Sequence, residues 1–291
     1  MDMTHERARL MIRQHLRGRA APQVQLLSNG HYTVMMNAAG SGYSSWRDIA
    51  ITRWREDPVG DGWGSYILLR DEESGAVWSA GLQPYGIEGD AYTTSLSDDT
   101  VGIIRRDGTL TTALHVTVAS DRDVELRRVV LTNHGEKLRE ITLTSYAELV
   151  LATAKADATH PAFSKLFVQT EWAQQGNILL ATRRRRSPNE AEVWAAHIAV
   201  VNADDGSSCE FETDRMRFLG RGRTLRYAHP RARRVVTSRG RGSRQAARSL
   251  ILSELVWPNV VRSFREPTSS LASTCVGHRF AGWRNVSRSC D

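Results

Sequence analysis

The segments 110–118 (LTTALHVTV) and 124–132 (VELRRVVLT) constrain the fold more than any others in the chain. Both are rich in β-branched residues and partly alternate apolar with polar side chains, the period of a half-buried strand. Further candidate strands lie at 31–37, 64–69, 76–80, 91–96, 101–105, 139–148, 166–171, 177–182, 193–201 and 209–213. Asp107-Gly108, His134-Gly135 and Asp205-Gly206 read as tight turns between them. Many strands at short spacing, with no helical pattern between them, predict an all-β chain folded as a large antiparallel sandwich. Residues 4–17 depart from that period. Ala8, Met11, Ile12, His15 and Leu16 recur at helical spacing behind a Thr4 cap, so residues 1–22 are expected to form a short N-terminal helix and linker.

Charge divides the chain. Its 291 residues carry a formal charge of +7, but from Arg221 onward there are fifteen Arg, no Lys and three acidic residues. The first 220 residues hold 24 basic against 29 acidic groups, so the body of the chain has no electrostatic reason to bind nucleic acid. Residues 221–291 also contain ten Ser and show no sustained period, which predicts an irregular Arg/Ser-rich tail. Two readings of that tail stay open. One is a disordered segment that seeks polyanions. The other, and the preferred one, is a change of reading frame near codon 221, which would turn a GC-rich gene into Arg, Ser, Ala and Gly. The three cysteines, Cys209, Cys275 and Cys290, form no framework and fit a reducing compartment. No signal-peptide core and no 18-residue apolar run is present, so a cytoplasmic chain is expected.

Residues 37–57 hold the side chains best suited to chemistry. Small residues from Ala38 to Ser45 allow a tight turn, and Gly40 and Gly42 permit positive φ. Tyr43, Trp46, Arg47, Asp48, Arg53, Trp54 and Arg55 follow. Flat rings stack on the apolar faces of a pyranose, while Arg and Asp hydrogen-bond its hydroxyls. A Gly-rich turn leading into a buried aromatic strand is the competing reading. The stretch lacks the third glycine of a dinucleotide fingerprint, and the chain has no Gly-x-Ser-x-Gly or His-Glu-x-x-His. No cofactor and no metal are therefore expected. The four-Arg run 183–186 before Ser187-Pro188 reads as a loop that can touch phosphate or acidic partners, a solvated loop being the simpler reading.

Several motifs in order resemble the N-terminal β-sandwich of glycoside hydrolase family 94, formerly glycosyltransferase family 36. They are LLSNGHYTV at 26–34, the stretch 37–57, WGSY at 63–66 running into LRD at 69–71, and VWSAGLQP at 77–84. LTSYAE at 143–148, HPAFSKLFVQTE at 160–171 and ATRRRRS at 181–187 continue the series. The resemblance covers roughly residues 23 to 220. The wording is most like the cyclic β-1,2-glucan synthases of that family, whereas its cellobiose and chitobiose phosphorylases differ at Ser41-Gly42-Tyr43-Ser44. It implies a two-sheet, galactose-mutarotase-like supersandwich over residues 23–220.

The resemblance also implies an inverting displacement at an anomeric carbon, with inorganic phosphate as nucleophile and one carboxylic acid protonating the departing oxygen. In the family that acid and most phosphate-binding groups lie in an (α/α)6 helical barrel after the sandwich, so no catalytic residue is expected in this chain. A truncated carbohydrate-active protein follows, inactive alone, with a β-linked glucan or oligosaccharide as its ligand and the barrel as its partner domain. A homodimer is in keeping with the family's phosphorylases, and a parent synthase can be attached to the inner membrane through other segments. Candidate sugar contacts are Tyr43, Trp46, Arg47 and Asp48, together with Phe163 and Lys165, which stand where the phosphorylases carry Phe-Gln-Arg. Lys offers a point charge in place of a planar fork. The alternative is a standalone lectin-like module whose basic tail binds polyanions.

Overall fold

The two leading segments pair with each other and seed the larger of two layers. The computed structural model describes residues 23–55, 63–173, 178–202, 211–225 and 246–255, apart from positions 138, 189, 191 and 222. Strand β9 (Leu110–Val118) lies antiparallel to β10 (Val124–Asn133), with Leu114 opposite Val129. Leu110, Thr112, Leu114 and Val116 of β9 face inward and the residues between them face outward, as a pleat of period two requires. The sheet grows on one side through β8 (Thr100–Asp107) and β7 (Ala91–Leu96). On the other side follow β16 (Ala246–Leu255), β15 (Trp194–Asn202), β14 (Ile178–Arg183) and β13 (Val168–Ala173). All eight strands are antiparallel to their neighbours.

Two smaller sheets form the opposing layer. Strands β1 (Val24–Ser28), β2 (Tyr32–Asn37), β3 (Gly42–Trp46) and β4 (Ile49–Thr52) run as a meander completed by β12 (Leu149–Thr153). β5 (Tyr66–Asp71) sits between β6 (Val77–Ser79) and β11 (Ile141–Tyr146). One buried cluster draws Val34 and Ile51 from the first of these sheets and Leu69 and Trp78 from the second. Ile103, Leu114 and Val129 join it from the eight-stranded sheet. Burying apolar faces of all three sheets against each other is what holds a sandwich together. The helices are short: α1 (Ala154–Thr159), α2 (Pro161–Lys165) and α3 (Arg215–Leu219). Among the described residues no helix is long and apolar enough to cross a membrane.

The motifs that carried the family resemblance interlock. Asn29 Oδ1 accepts hydrogen bonds from the backbone amides of His31 and Tyr32, and its Nδ2 donates to the carbonyls of Ala119 (3.0 Å) and Arg122 (2.7 Å). One side chain thus ties the β1–β2 turn to the β9–β10 turn. Asn37 Oδ1 likewise accepts from the amides of Ala39 and Ser41. The turn it shapes presents the Ala39 carbonyl to the amides of Leu82 (2.9 Å) and Gln83 (3.0 Å).

Two expectations are corrected. Residues 211–213 are irregular, not a strand. The stretch after 221, expected to be irregular, contributes β16, which pairs with β10 on one side and β15 on the other. Without a strand there both neighbours would present unpaired edges, and Arg and Ser flanking Leu250-Ile251-Leu252 masked the local strand signal. Of the two glycines that permit positive φ, Gly40 uses it, at 85°, and Gly42 does not. The expected helix at 4–17 lies outside the described residues.

Candidate functional site

The pleat of β3 sorts the 37–57 motif into two groups. Gly42, Ser44 and Trp46 point into the sandwich, while Tyr43 and Ser45 point away from it. Trp46 is a core residue, 9 % exposed, and its Nε1 donates to Asp123 Oδ2 at 2.7 Å. Arg47 and Asp48 are the exposed pair that turn β3 into β4. Arg47 adopts φ 53° and places its guanidinium 4.7 Å from the centre of the Trp46 ring.

Tyr43 belongs to a different surface. Its ring lies 5.7 Å from that of Trp54, tilted by 42°. Just beyond, the guanidinium groups of Arg53 and Arg55 sit 5.9 and 5.3 Å from the ring centre of Trp63. Trp54 Nε1 and one Arg55 terminal nitrogen, Nη2, are buried with no hydrogen-bond partner among the described residues. Buried donors of this kind are rarely left unmade in a finished structure.

Arg53 links this surface to a charged network. Its fork donates to both oxygens of Asp157, at 2.8 and 2.5 Å, and its third nitrogen donates to Glu148 Oε2 at 2.9 Å. Glu148, in the loop between β11 and β12, also accepts from Lys165 Nζ (3.0 Å), Arg215 Nε (2.7 Å) and the Tyr146 hydroxyl (2.9 Å). The supporting helices are placed by caps. Thr153 Oγ1 accepts from the Ala156 amide at the start of α1, and Asp214 Oδ1 accepts from the Met216 amide at the start of α3. Burial pushes the Glu148 carboxyl up, but the hydrogen bonds and charges of Arg215 and Lys165 outweigh it and bring it down to about 2. Lys165 is therefore held in a network, whereas Phe163 is 61 % exposed, its ring centre 6.2 Å from that of His160 and nearly perpendicular to it.

A cavity of about 490 Å³ runs from this network into the sandwich. Glu148, Lys165 and Arg215 line its outer end, and Tyr32, Ser44, Glu125, Arg127 and His197 its interior. Glu125 accepts from Arg127 Nε (2.9 Å), from the Tyr32 hydroxyl (3.3 Å) and from the Ser44 hydroxyl. Burial pushes His197 down to about 4, with Glu125 opposing and Arg127 reinforcing. The arrangement offers charged and hydroxyl groups to a polar ligand, with the aromatic surface of Tyr43, Trp54 and Trp63 adjoining through Arg53.

Of the six residues singled out from the sequence, Lys165 alone lines the cavity. Tyr43 joins the aromatic surface, Trp46 joins the core, and Arg47, Asp48 and Phe163 are exposed elsewhere. Glu125, Arg127 and Glu148 went unnoticed. The first two share the inward face of β10 with Val129 and Leu131, a parity legible in the sequence.

The chain matches the description "Glycosyl hydrolase 94, supersandwich domain" over residues 9–246. It is 44 % identical over 200 residues to the cyclic beta-(1,2)-glucan synthase NdvB of Rhizobium meliloti (strain 1021). That alignment takes in 69 % of this chain and 7 % of the synthase, so the chain corresponds to a small part of that relative's length. A two-layered antiparallel fold, a sugar-compatible set of rings and charges, and a family match over most of its length agree: this chain belongs to glycoside hydrolase family 94, as a carbohydrate-active supersandwich domain.

Proposed function

We propose that this chain is the glucan-contacting module of a cyclic β-1,2-glucan synthase or β-glucan phosphorylase, and that the bond-making chemistry belongs to a separate helical-barrel domain. The observation that carries this reading is the Tyr43–Trp54 pair beside the Arg53–Trp63–Arg55 cluster, where two buried donors, Trp54 Nε1 and Arg55 Nη2, have no partner among the described residues. Rings supply the apolar faces on which pyranoses stack, and guanidinium groups beside them suit the ring hydroxyls. Lys165, fixed against Glu148, marks where the ligand passes from this surface toward the cavity. Inorganic phosphate is assigned to the barrel. The widely spaced cysteines suit a reducing compartment, so the module is placed in the cytoplasm.

Calorimetric titration of the full chain with β-1,2-linked gluco-oligosaccharides is expected to give weak binding. Trp54→Ala is expected to weaken it about tenfold, in keeping with the loss of one stacked ring. Equal affinity in the variant would remove this surface from the site. The full chain is also expected to release no sugar phosphate from any β-glucan supplied with phosphate. Phosphate-dependent cleavage by the pure chain would overturn the assignment of catalysis to the barrel.

A further inference from the structure

The outer face of the eight-stranded sheet carries a second polar concavity. Register places Gln169 of β13 opposite Thr182 of β14, and Thr182 opposite Trp194 of β15, so these three form one row across the strands. Leu180, Trp194 and Ala196 pack in a small cluster separate from the sandwich core, which puts the row on the outward side of the sheet. Arg184 and Arg185 continue from β14 above it, and Glu171 and Glu192 line it as well. The groove is open to solvent and holds about 530 Å³, within the range of small-molecule sites.

Two features make this more than a solvated loop. First, three guanidinium groups converge on one ring: those of Arg183, Arg184 and Arg186 lie 5.3, 5.2 and 4.8 Å from the centre of Phe167. The Arg184 amide donates to the Phe167 carbonyl at 2.8 Å, which fixes the start of the run. Among the described residues no carboxylate ion-pairs with Arg183, Arg184, Arg185 or Arg186, although other cations of this fold are paired. Burial, then the charge of Arg186, push the Arg183 guanidinium down from its ordinary value. The charges of Glu190 and Asp157 oppose that shift, and four like charges so close together still favour a further anion. Second, the floor is already oriented. Thr182 Oγ1 donates to the Val193 carbonyl at 2.9 Å, and Trp194 Nε1 donates to Glu192 Oε1 at 2.8 Å. The Thr182 hydroxyl keeps acceptor capacity and Glu192 is held in place.

We infer that this outer groove is a binding site for a phosphorylated sugar, with Arg184 and Arg185 gripping the phosphoryl group and Gln169, Thr182, Glu171 and Glu192 meeting the ring hydroxyls. Planar guanidinium forks match phosphoryl oxygens two at a time. The two carboxylates argue against a bare polyanion site and for a ligand that is anionic at one end and rich in hydroxyl donors at the other. This groove is distinct from the glucan-contacting surface, and neither assignment depends on the other.

The test is titration of the full chain with glucose 6-phosphate, glucose and inorganic phosphate separately, followed by calorimetry and by tryptophan fluorescence, since Trp194 forms part of the floor. Glucose 6-phosphate is expected to bind about tenfold more tightly than either fragment alone. The double variant Arg184→Ala/Arg185→Ala, at exposed positions, is expected to weaken it at least about tenfold with an unchanged circular dichroism spectrum. Arg184→Lys/Arg185→Lys should recover only part of the loss, because a point charge cannot form the paired contact. Thr182→Val is expected to weaken glucose 6-phosphate and leave phosphate unaffected. Phosphate binding as tightly as glucose 6-phosphate, or affinity that survives Arg184→Ala/Arg185→Ala, would overturn the inference.

Discussion

Arg53→Ala is expected to lower stability by about 3–5 kcal/mol, the range for removing one partner of a buried ion pair. Arg53 is 2 % exposed, and every guanidinium nitrogen donates to a carboxylate of Asp157 or Glu148. Deleting it removes the fork that offsets burial at Asp157, while Glu148 keeps Lys165 and Arg215. Arg53→Lys is expected to recover little, because one ammonium cannot span both acids. The effect has a definite pH dependence. Burial pushes the Asp157 carboxyl up, but the hydrogen bonds of Arg53 and Ser164 and the Arg53 charge hold it below its ordinary value of 3.8, so the contribution of Arg53 is fully present above that value and is lost as pH falls below it. The gap between the native protein and the variant is therefore largest at neutral pH and narrows through that window. Urea unfolding of both proteins at several pH values checks this. A gap below about 1 kcal/mol at neutral pH, or one that does not narrow in acid, would refute a structural role for the network.

Gly42→Ala is expected to be nearly as damaging, by about 3 kcal/mol, at the upper end of overpacking penalties. A Cβ at this position would run into the carbonyl oxygen of Met35 on the paired strand β2, and would stand 2.9 Å from the Met35 carbonyl carbon and 3.0 Å from the Met36 Cα. These are backbone atoms within a hydrogen-bonded ladder, so neither can swing aside as a side chain would. Gly40→Ala acts by another route, through its φ of 85° and the approach of the Gly81 Cα at 3.0 Å. Melting temperatures of the two variants separate these causes. Gly42→Ala should lose stability without any strain at φ, and Gly40→Asn, which tolerates positive φ, should still suffer from the contact with Gly81.

The strands that were legible in the sequence are those whose own residues enforce a pleat. β9 alternates Leu110, Thr112, Leu114 and Val116 inward with polar or small residues outward, and no partner is needed to read that. β3 is the opposite case. Gly-Tyr-Ser-Ser-Trp has little strand propensity of its own and is extended because β2 and β4 flank it. β16 resembles its Arg- and Ser-rich surroundings in composition and is a strand because β10 and β15 both need a neighbour.

For the site, the sequence by itself determined the fold class, the family, and the enrichment of residues 37–55 in rings and arginines, all properties of local order along the chain. It did not determine which of those side chains work together. Tyr43 and Trp46 are three residues apart and face opposite sides of β3, because the pleat reverses at every residue. Glu148 meets Arg53, Lys165 and Arg215 from positions far apart in the chain, a convergence fixed only when α2 and α3 pack beside the β11–β12 loop. The tertiary structure decided the site because charge pairing and ring contacts act over a few ångströms of space, and sequence distance does not measure that space.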